Sequence, residues 1–360
     1  MDKVRIGIIG CGGIANGKHL PALKRNKYVK MVAFCDIVAE RAEKAAAEYG
    51  TEGAKSYTDY KDLLADASID AVHVLTPNRE HSFITVDALH AGKHVMCEKP
   101  MAINSEEAQK MLAAAKETGK LLTIGYQNRC RPDSLYLKRM CENGELGEIY
   151  YAKAHAIRRR GVPTWGVFLN EYEQGGGPLI DIGTHALDLT LWEMNNYKPK
   201  MVVGTTYKKM RDQKEPANAW GAWDPEAFTV EDSAFGFITM ENGATIQLEA
   251  SWALNSLEVE EASTTLCGTI AGADMHDGLR INGVKYNKQY TEKPDLTSGG
   301  AAFFEGEGDA QPEDVECANW IDAIRNGTAL RVLPEQALVV TQILEAIYES
   351  AKTGKPVYFN

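Results

Sequence analysis

A lysine, an aspartate and a histidine stand downstream of a glycine-rich turn in this chain, in an order suited to moving a proton while a dinucleotide takes a hydride. Lys99 lies in Val95-Met-Cys-Glu-Lys-Pro100, and the other two lie in Asp181-Ile-Gly-Thr-His185. Oxidising a secondary alcohol requires the hydroxyl proton to leave as hydride leaves the carbon, so a base must reach that oxygen. The ammonium of Lys99 can hold the hydroxyl and stabilise an emerging alkoxide. His185, an imidazole with an ordinary pKa of about 6.5, is the better proton acceptor. Asp181 lies four residues before His185; a helix starting there puts both side chains on one face, where the carboxylate orients the imidazole or a substrate hydroxyl. Taken alone, each residue has a plainer reading: a solvated lysine, a satisfied histidine, an aspartate capping a helix. The three in this order favour catalysis.

The cofactor must be held by what comes before. Val4–Ile9 reads as a short buried strand, and Gly10-Cys-Gly-Gly-Ile-Ala15 follows it at once. Gly10 permits the tight turn, Gly12 lets the backbone approach a pyrophosphate, and Ala15 allows close packing of helix on strand. Gly13 and Ile14 complete a turn whose following helix offers free N–H groups to phosphates. A second strand, Val29–Cys35, ends at Asp36. A carboxylate there accepts from the adenosine ribose hydroxyls and repels a 2′-phosphate, which favours NAD over NADP.

The remaining elements follow the same grammar for the first third of the chain. Ala39–Tyr49 reads as a helix, Ala71 to Leu75 as a buried strand, and Glu80 to Ala91 as a helix closed by Gly92. His94–Cys97 and Leu121 to Ile124 add strands around a helix over Ser105–Thr118, and repeated βα units of this kind make a doubly wound parallel sheet. After about Asn128 strands follow one another without crossover helices, at Ile149–Ile157, Ser233–Met240, 244–253 and 263–269. Asn242-Gly243, between two of them, signals a tight antiparallel hairpin. Helices over about Glu313 to Asn326 and Pro334–Thr353 place Trp320, Ile324, Val340, Ile343 and Ile347 at core-facing intervals. The stretch 286–314 is charged and Gly-rich, without periodicity, and reads as a flap.

Composition excludes several classes. A net charge of −11 argues against nucleic acid and anionic membranes as partners. No run of about 18 apolar residues could span a bilayer, and a chain that enters a strand within four residues is expected to lack a signal peptide. Seven cysteines, scattered and without a C-x-x-C spacing, suit reduced thiols in a cytoplasm better than disulfides or a zinc site, and no metal site is expected.

Thr76-Pro-Asn78, His81, Ala91-Gly-Lys-His-Val95, Glu98-Lys-Pro100, the run Gly175 to His185 and Gly268-Thr-Ile-Ala-Gly272 resemble the Gfo/Idh/MocA oxidoreductases, glucose–fructose oxidoreductase and inositol dehydrogenase among them. The resemblance runs from residue 1 to about 355. It implies an α/β fold: an N-terminal NAD-binding Rossmann domain with a doubly wound parallel sheet over 1–127, then over 128–360 a C-terminal α+β domain with a large open, mostly antiparallel sheet. That second domain would bind substrate and make a homo-oligomer through its sheet. The family activity is reversible oxidation of a hydroxyl on a sugar, glycoside or cyclitol, with NAD either exchanging or tightly held.

Other residues gain roles from the resemblance. Thr76 and Asn78 would lie where a loop crosses the cofactor, His81 and Glu98 near the ribose and nicotinamide, and Gln127 facing the nicotinamide. Arg158-Arg159-Arg160 followed by Trp165 could line a polyol site, with Trp165 against nicotinamide or sugar; a basic surface loop is the equal alternative. Lys208 to Glu231 reads as an ordered loop carrying Trp220 and Trp223, exposed tryptophans that either stack on sugar faces or staple the loop. These stretches are similar to gut bacterial enzymes that oxidise the 3-hydroxyl of a glucosyl group. Three functions follow: a glycoside or sugar dehydrogenase, with inositol dehydrogenase as runner-up; an NAD-dependent glycosidase without net NADH; and a non-catalytic sugar-sensing regulator, against which the intact Lys99, Asp181 and His185 argue.

Overall fold

Val4, Ile6, Ile8 and Ile9 are buried along β1 (Val4–Ile9), as a central parallel strand covered on both faces requires. The computed structural model describes residues 3–296 and 311–359. The chain divides into two compact units, Met1–Cys130 with Ala310–Leu338, and Arg131–Asp309 with Val339–Asn360.

In the first unit β1 is followed by α1 (Leu20–Arg25), β2 (Val29–Cys35), α2 (Ala39–Tyr49), β3 (Lys55–Tyr57), α3 (Tyr60–Leu64) and β4 (Ala71–Val74). Then come α4 (His81–His90), β5 (His94–Cys97), α5 (Ser105–Thr118) and β6 (Leu122–Ile124). The six strands are parallel in the order β3-β2-β1-β4-β5-β6. The order reverses between β1 and β4, and in open α/β sheets ligands bind beyond the carboxyl ends of the strands at that switch point. The turns after β1 and β4 hold Gly10 and Thr76, so the sheet brings together two stretches 66 positions apart in sequence. Helix α5 begins cleanly because Asn104 accepts from Glu107 N, and Gly119 closes it at φ +64°.

The second unit opens with α6 (Pro132–Glu142), β7 (Ile149–Ile157), α7 (Glu171–Gln174), α8 (Thr184–Met194) and β8 (Pro199–Tyr207). The strands β9 (Ser233–Met240), β10 (Thr245–Ser251), β11 (Glu260–Gly268), β12 (Ala271–Asp274), β13 (Arg280–Lys285) and β14 (Lys288–Glu292) follow. Two helices, α9 (Pro312–Asn326) and α10 (Pro334–Thr353), and the short β15 (Val357–Tyr358) complete the chain. Nine strands run β14-β13-β12-β11-β7-β10-β9-β8-β15. Every pair is antiparallel except β7 with β10. Asn242-Gly243 turns β9 into β10 with Gly243 at φ +89°, the hairpin its sequence announces. Helix α8 packs on β7 and β11, and Ser350 of α10 accepts from Gly204 N of β8.

Two expectations are corrected. The excursion from Tyr286 is not aperiodic at its start: Val284↔Gln289 and Lys285↔Lys288 pair across a tight turn as β13 and β14, while 297–310 lies outside the described residues. The C-terminal sheet is mostly antiparallel, as expected, and its one parallel pair, β7 with β10, is possible because α8 intervenes between β7 and the strands that follow it. Helix α9 packs with the first unit, where Cys317, Trp320 and Ile321 share a core with Val4, Ile6 and Ile8. No helix among the described residues is long and apolar enough to cross a membrane.

Glu193 near the end of α8 is fully buried, and neither carboxylate oxygen has a hydrogen-bond partner among the described residues. Burial, then the neighbouring Asp133, hold its pKa well above the ordinary carboxylate value. A carboxyl whose folded pKa is raised contributes its full stability below the unfolded pKa of about 4.3 and loses it as pH rises through the folded value. Glu193→Met should therefore stabilise the protein by about 1–3 kcal/mol, the cost of an unsatisfied buried polar group. The gain should be larger at pH 9 than at pH 5 in urea unfolding. A variant destabilised at both pH values would contradict this account of Glu193.

Candidate active site

Gly10 leaves β1 at φ +93°, and a Cβ there would stand 2.5 Å from Leu75 O, so only glycine lets the β1 and β4 turns approach this closely. At Gly12 and Gly13 a Cβ would meet open space, which leaves the turn's backbone accessible to a bulky anion. Ile14 is exposed, and the chain then winds as a π-turn, Ala15–His19, before α1. Asp36 is buried at the end of β2. Its Oδ2 accepts from Cys11 N at 2.9 Å and its Oδ1 from Val38 N at 2.9 Å, so the carboxylate is fixed to the glycine turn itself. Among the described residues the only cation within 4 Å of it is Arg41, 3.9 Å away and largely exposed. These features fit a dinucleotide: an open glycine turn and a fixed acid beside it, at the switch point of a parallel sheet.

The β4 and β5 turns differ from expectation in detail. Asn78 opens a 3₁₀ turn, Asn78–Glu80, and is buried. His81 does not face outward towards a ribose: its Nδ1 lies 2.8 Å from Pro100 O and its Nε2 2.9 Å from Thr76 O, so both ring nitrogens are committed to backbone carbonyls. Two carbonyl partners favour the imidazolium, but burial outweighs them and lowers the pKa; one nitrogen therefore donates at neutral pH. The ring braces the Thr76 turn against the peptide after Lys99. Glu98 also turns inward. Its Oε1 is 2.7 Å from both Lys18 Nζ and His19 Nε2, and its Oε2 accepts from Lys99 N at 3.0 Å. Gln127 points its Oε1 at Lys18 Nζ, 3.1 Å away, rather than leaving that atom for a nicotinamide. Lys99 itself is half-buried, between Glu98 and a cis Pro100.

In the second unit a π-turn, Leu179–Gly183, carries Asp181 and runs into α8, which carries His185. A π-turn is wider than an α-turn, so the shared face inferred from α-helical four-residue spacing does not carry over unchanged. The Asp181 carboxylate accepts from Trp252 Nε1 at 3.0 Å, and Trp252 is fully buried, so this contact fixes the acid. His185 is buried in the first turn of α8. The lead-in is anchored by a residue that sequence reasoning missed: Glu231 accepts from Gly177 N at 2.9 Å, Leu179 N at 3.2 Å and Tyr348 Oη at 2.8 Å. A Cβ at Gly177 would collide with the Glu231 carbonyl. Burial raises the Glu231 pKa to about 6 although these donors pull it down. No local sequence signal marks Glu231, since it is one of two acids before β9.

Of the arginine and tryptophan candidates, Trp165 and Trp220 come together and Trp223 does not join them. Trp165 is 51% and Trp220 44% exposed, with ring centroids 4.9 Å apart at 88°. Arg158 stacks 5.3 Å from the Trp220 ring, but its Nε and terminal nitrogen are taken by Glu261 at 2.6 and 2.5 Å. Arg159 is exposed. Trp223 is 8% exposed; it donates from Nε1 to Arg211 O and packs edge-on against Phe228, so it staples the loop and offers no stacking face. Among the described residues no group of three or more His, Cys, Asp or Glu side chains could hold a metal.

A glycine turn with an adjoining acid at the switch point of a parallel sheet, followed by a second α/β unit carrying an aspartate and a histidine, defines a nicotinamide-dependent oxidoreductase. Residues 4–126 match the description "Oxidoreductase family, NAD-binding Rossmann fold" and residues 138–359 "Oxidoreductase family, C-terminal alpha/beta domain". The chain belongs to the Gfo/Idh/MocA oxidoreductase family. It is 36% identical over 359 residues to D-glucoside 3-dehydrogenase of Escherichia coli, covering 99% of this chain and 97% of that protein. Inositol 2-dehydrogenase of Salmonella typhimurium is 34% identical over 198 residues, 54% of this chain and 56% of that one. The fold superposes on levoglucosan dehydrogenase in complex with NADH and levoglucosan with a TM-score of 0.82, over 99% of both chains at 21% identity.

Proposed function

We propose that this chain oxidises the 3-hydroxyl of a glucosyl group to a ketone, using NAD. The carrying observation is the 36% identity to a D-glucoside 3-dehydrogenase across 99% of the chain, in a sequence that carries Lys99, Asp181 and His185. The reaction converts the secondary alcohol and NAD to a ketone, NADH and a proton. The bound nicotinamide supplies the hydride acceptor. Lys99 holds the hydroxyl oxygen and stabilises its developing negative charge, His185 takes the hydroxyl proton, and Asp181, fixed by Trp252, orients the histidine or a neighbouring hydroxyl. Gly10, Gly12, Gly13, Ile14, Thr76 and Asn78 belong to the cofactor cradle. NMR identification of the product formed from methyl β-glucoside and NAD tests the reading.

Asp36 selects NAD in this proposal, because its fixed carboxylate would face a 2′-phosphate. Asp36→Ser is expected to narrow the preference for NAD over NADP at least tenfold in kcat/KM, a change of about 1.4 kcal/mol. A wild-type enzyme that already prefers NADP would contradict the assignment. The half-exposed Trp165 and Trp220 supply an aromatic surface for the glycoside, with Arg159 as an accessible cation. A homo-oligomer through the nine-stranded sheet is part of the same reading, supported by the exposed Val203, Tyr207 and Phe237 on β8 and β9 and checked by light scattering. A cytoplasmic location suits seven free cysteines and is checked by fractionation. The Salmonella relative supports inositol oxidation as the second reading, over about half the chain.

A further inference from the structure

The first unit buries an ionic cluster that the proposed chemistry does not use. Lys18, in the π-turn after the glycine-rich loop, points its ammonium at three acceptors: Glu98 Oε1 at 2.7 Å, Glu316 Oε2 at 3.0 Å and Gln127 Oε1 at 3.1 Å. An ammonium has three N–H groups, so this one is saturated. Burial acts to lower the Lys18 pKa, but Glu316 and Glu98 outweigh it and the lysine stays charged. Glu98 passes the constraint on, because its second oxygen accepts from the backbone N–H of Lys99. Glu316 enters from α9, some 300 residues after Lys18 in sequence.

On the far side of the cluster lies a cavity of about 10 Å³, bordered by Lys18, His19, His73, Glu316 and Trp320 among others. Three of these residues carry buried polar atoms without a hydrogen-bond partner among the described residues: His73 Nε2, Glu316 Oε1 and Trp320 Nε1. One water needs roughly 10–15 Å³ and two to four polar partners. The indole N–H can only donate, the carboxylate can accept, and the His73 nitrogen can do either according to tautomer. A single water accepting from Trp320 and donating to Glu316 satisfies both and has bonding capacity left for His73.

We propose that this cavity binds one internal water shared by His73, Glu316 and Trp320, and that Lys18 and Glu316 are positioning residues that act on Lys99 through Glu98. The second part rests on the catalytic reading of Lys99. The physical reason is that burying two carboxylates around one ammonium fixes all three groups: removing the ammonium leaves Glu316 without its cation and Glu98 with only His19 and the Lys99 N–H, so that one acid must take a proton or move. Glu98 cannot move without disturbing the peptide N–H of Lys99. Misplacing a reacting group by about 1 Å can cost on the order of a hundredfold in rate.

The test uses the full chain with NAD and methyl β-glucoside. In a high-resolution crystal structure, density for one atom should lie within hydrogen-bond distance of all three polar atoms; absence of such density overturns the water site. Lys18→Met should lower kcat at least tenfold with the substrate KM within a few-fold of wild type, and should shift the kcat–pH profile. If Lys18→Met does not fold, Glu316→Gln, which keeps the shape and one acceptor, carries the same test with a smaller expected loss of at least threefold in kcat. Normal kcat and an unshifted profile in a folded variant, beside an inactive Lys99→Ala, overturn the positioning role alone. Normal turnover in Lys99→Ala overturns the catalytic reading of Lys99 and the positioning role with it.

Discussion

Lys99→Ala should lower kcat by about a hundredfold or more while the NAD complex still forms, and His185→Ala should do the same, the usual scale for losing a general acid, base or oxyanion partner. The structure makes these clean experiments. The Lys99 backbone is held from two sides, by Glu98 Oε2 on its N–H and by His81 on the Pro100 carbonyl, so truncating the side chain leaves the turn braced. His185 sits in a helix whose lead-in is anchored by Glu231 on Gly177 and Leu179, independently of the imidazole. Cofactor binding measured by quenching of tryptophan fluorescence separates loss of chemistry from loss of the NAD site. Near-normal turnover in either folded variant removes that residue from the mechanism.

Much of the first unit was legible because its signals are local. The run Val4–Ile9 with a glycine turn behind it, the strand ending at Asp36, and the helix over Ser105–Thr118 each announce themselves within a dozen residues. Asn242-Gly243 did the same for β9 and β10. What stayed hidden depends on partners distant in sequence. The periodicity of α9 shows that Trp320 and Ile324 face a core, but not that this core is shared with β1, some 300 residues earlier. Strands β12 to β14 are short, and β13 and β14 bury only Ile281 and show no apolar alternation, so they resemble loop until their register is seen.

The candidate site shows the same division. Residue types and order point to Lys99, Asp181 and His185, but not to what holds them. Lysine and glutamate are almost never fully buried unless paired, so nothing in sequence marks Lys18 and Glu316, which prove to be buried partners of Glu98, a residue expected near the ribose and nicotinamide. Trp252 and Glu231 are invisible for a similar reason: Trp252 donates one hydrogen bond and Glu231 accepts three, all with segments far away in the chain. His81 was read as a cofactor contact because it stands in a family motif, yet both nitrogens bind carbonyls. Trp223 was read as exposed because its loop is polar, whereas Phe228 and the Arg211 carbonyl give its ring and its N–H buried partners.

The second large effect concerns substrate choice. Glucosides should be oxidised with a kcat/KM at least a hundredfold above that for myo-inositol, about 2.7 kcal/mol of transition-state discrimination. Two observations support this direction. Similarity to the D-glucoside 3-dehydrogenase extends over 99% of the chain, whereas similarity to the inositol 2-dehydrogenase covers 54%. The segment carrying Trp165 and the loop carrying Trp220 also form an exposed aromatic corner, a surface that stacks on the C–H face of a sugar or a flat aglycone and that a bare cyclitol does not require. Removing a hydride from carbon 3 yields a ketone whose neighbouring C2 proton is acidified, so a separate lyase could then eliminate the aglycone.

The measurement that bears most directly on the whole account is a single incubation of the purified protein with NAD and methyl β-glucoside, followed by absorbance for NADH and by NMR for the sugar. The expected result is one NADH per 3-keto glucoside, with the methyl aglycone still attached and little turnover when myo-inositol replaces the glucoside. Release of methanol without net NADH, oxidation at another carbon, or a clear preference for myo-inositol would contradict it.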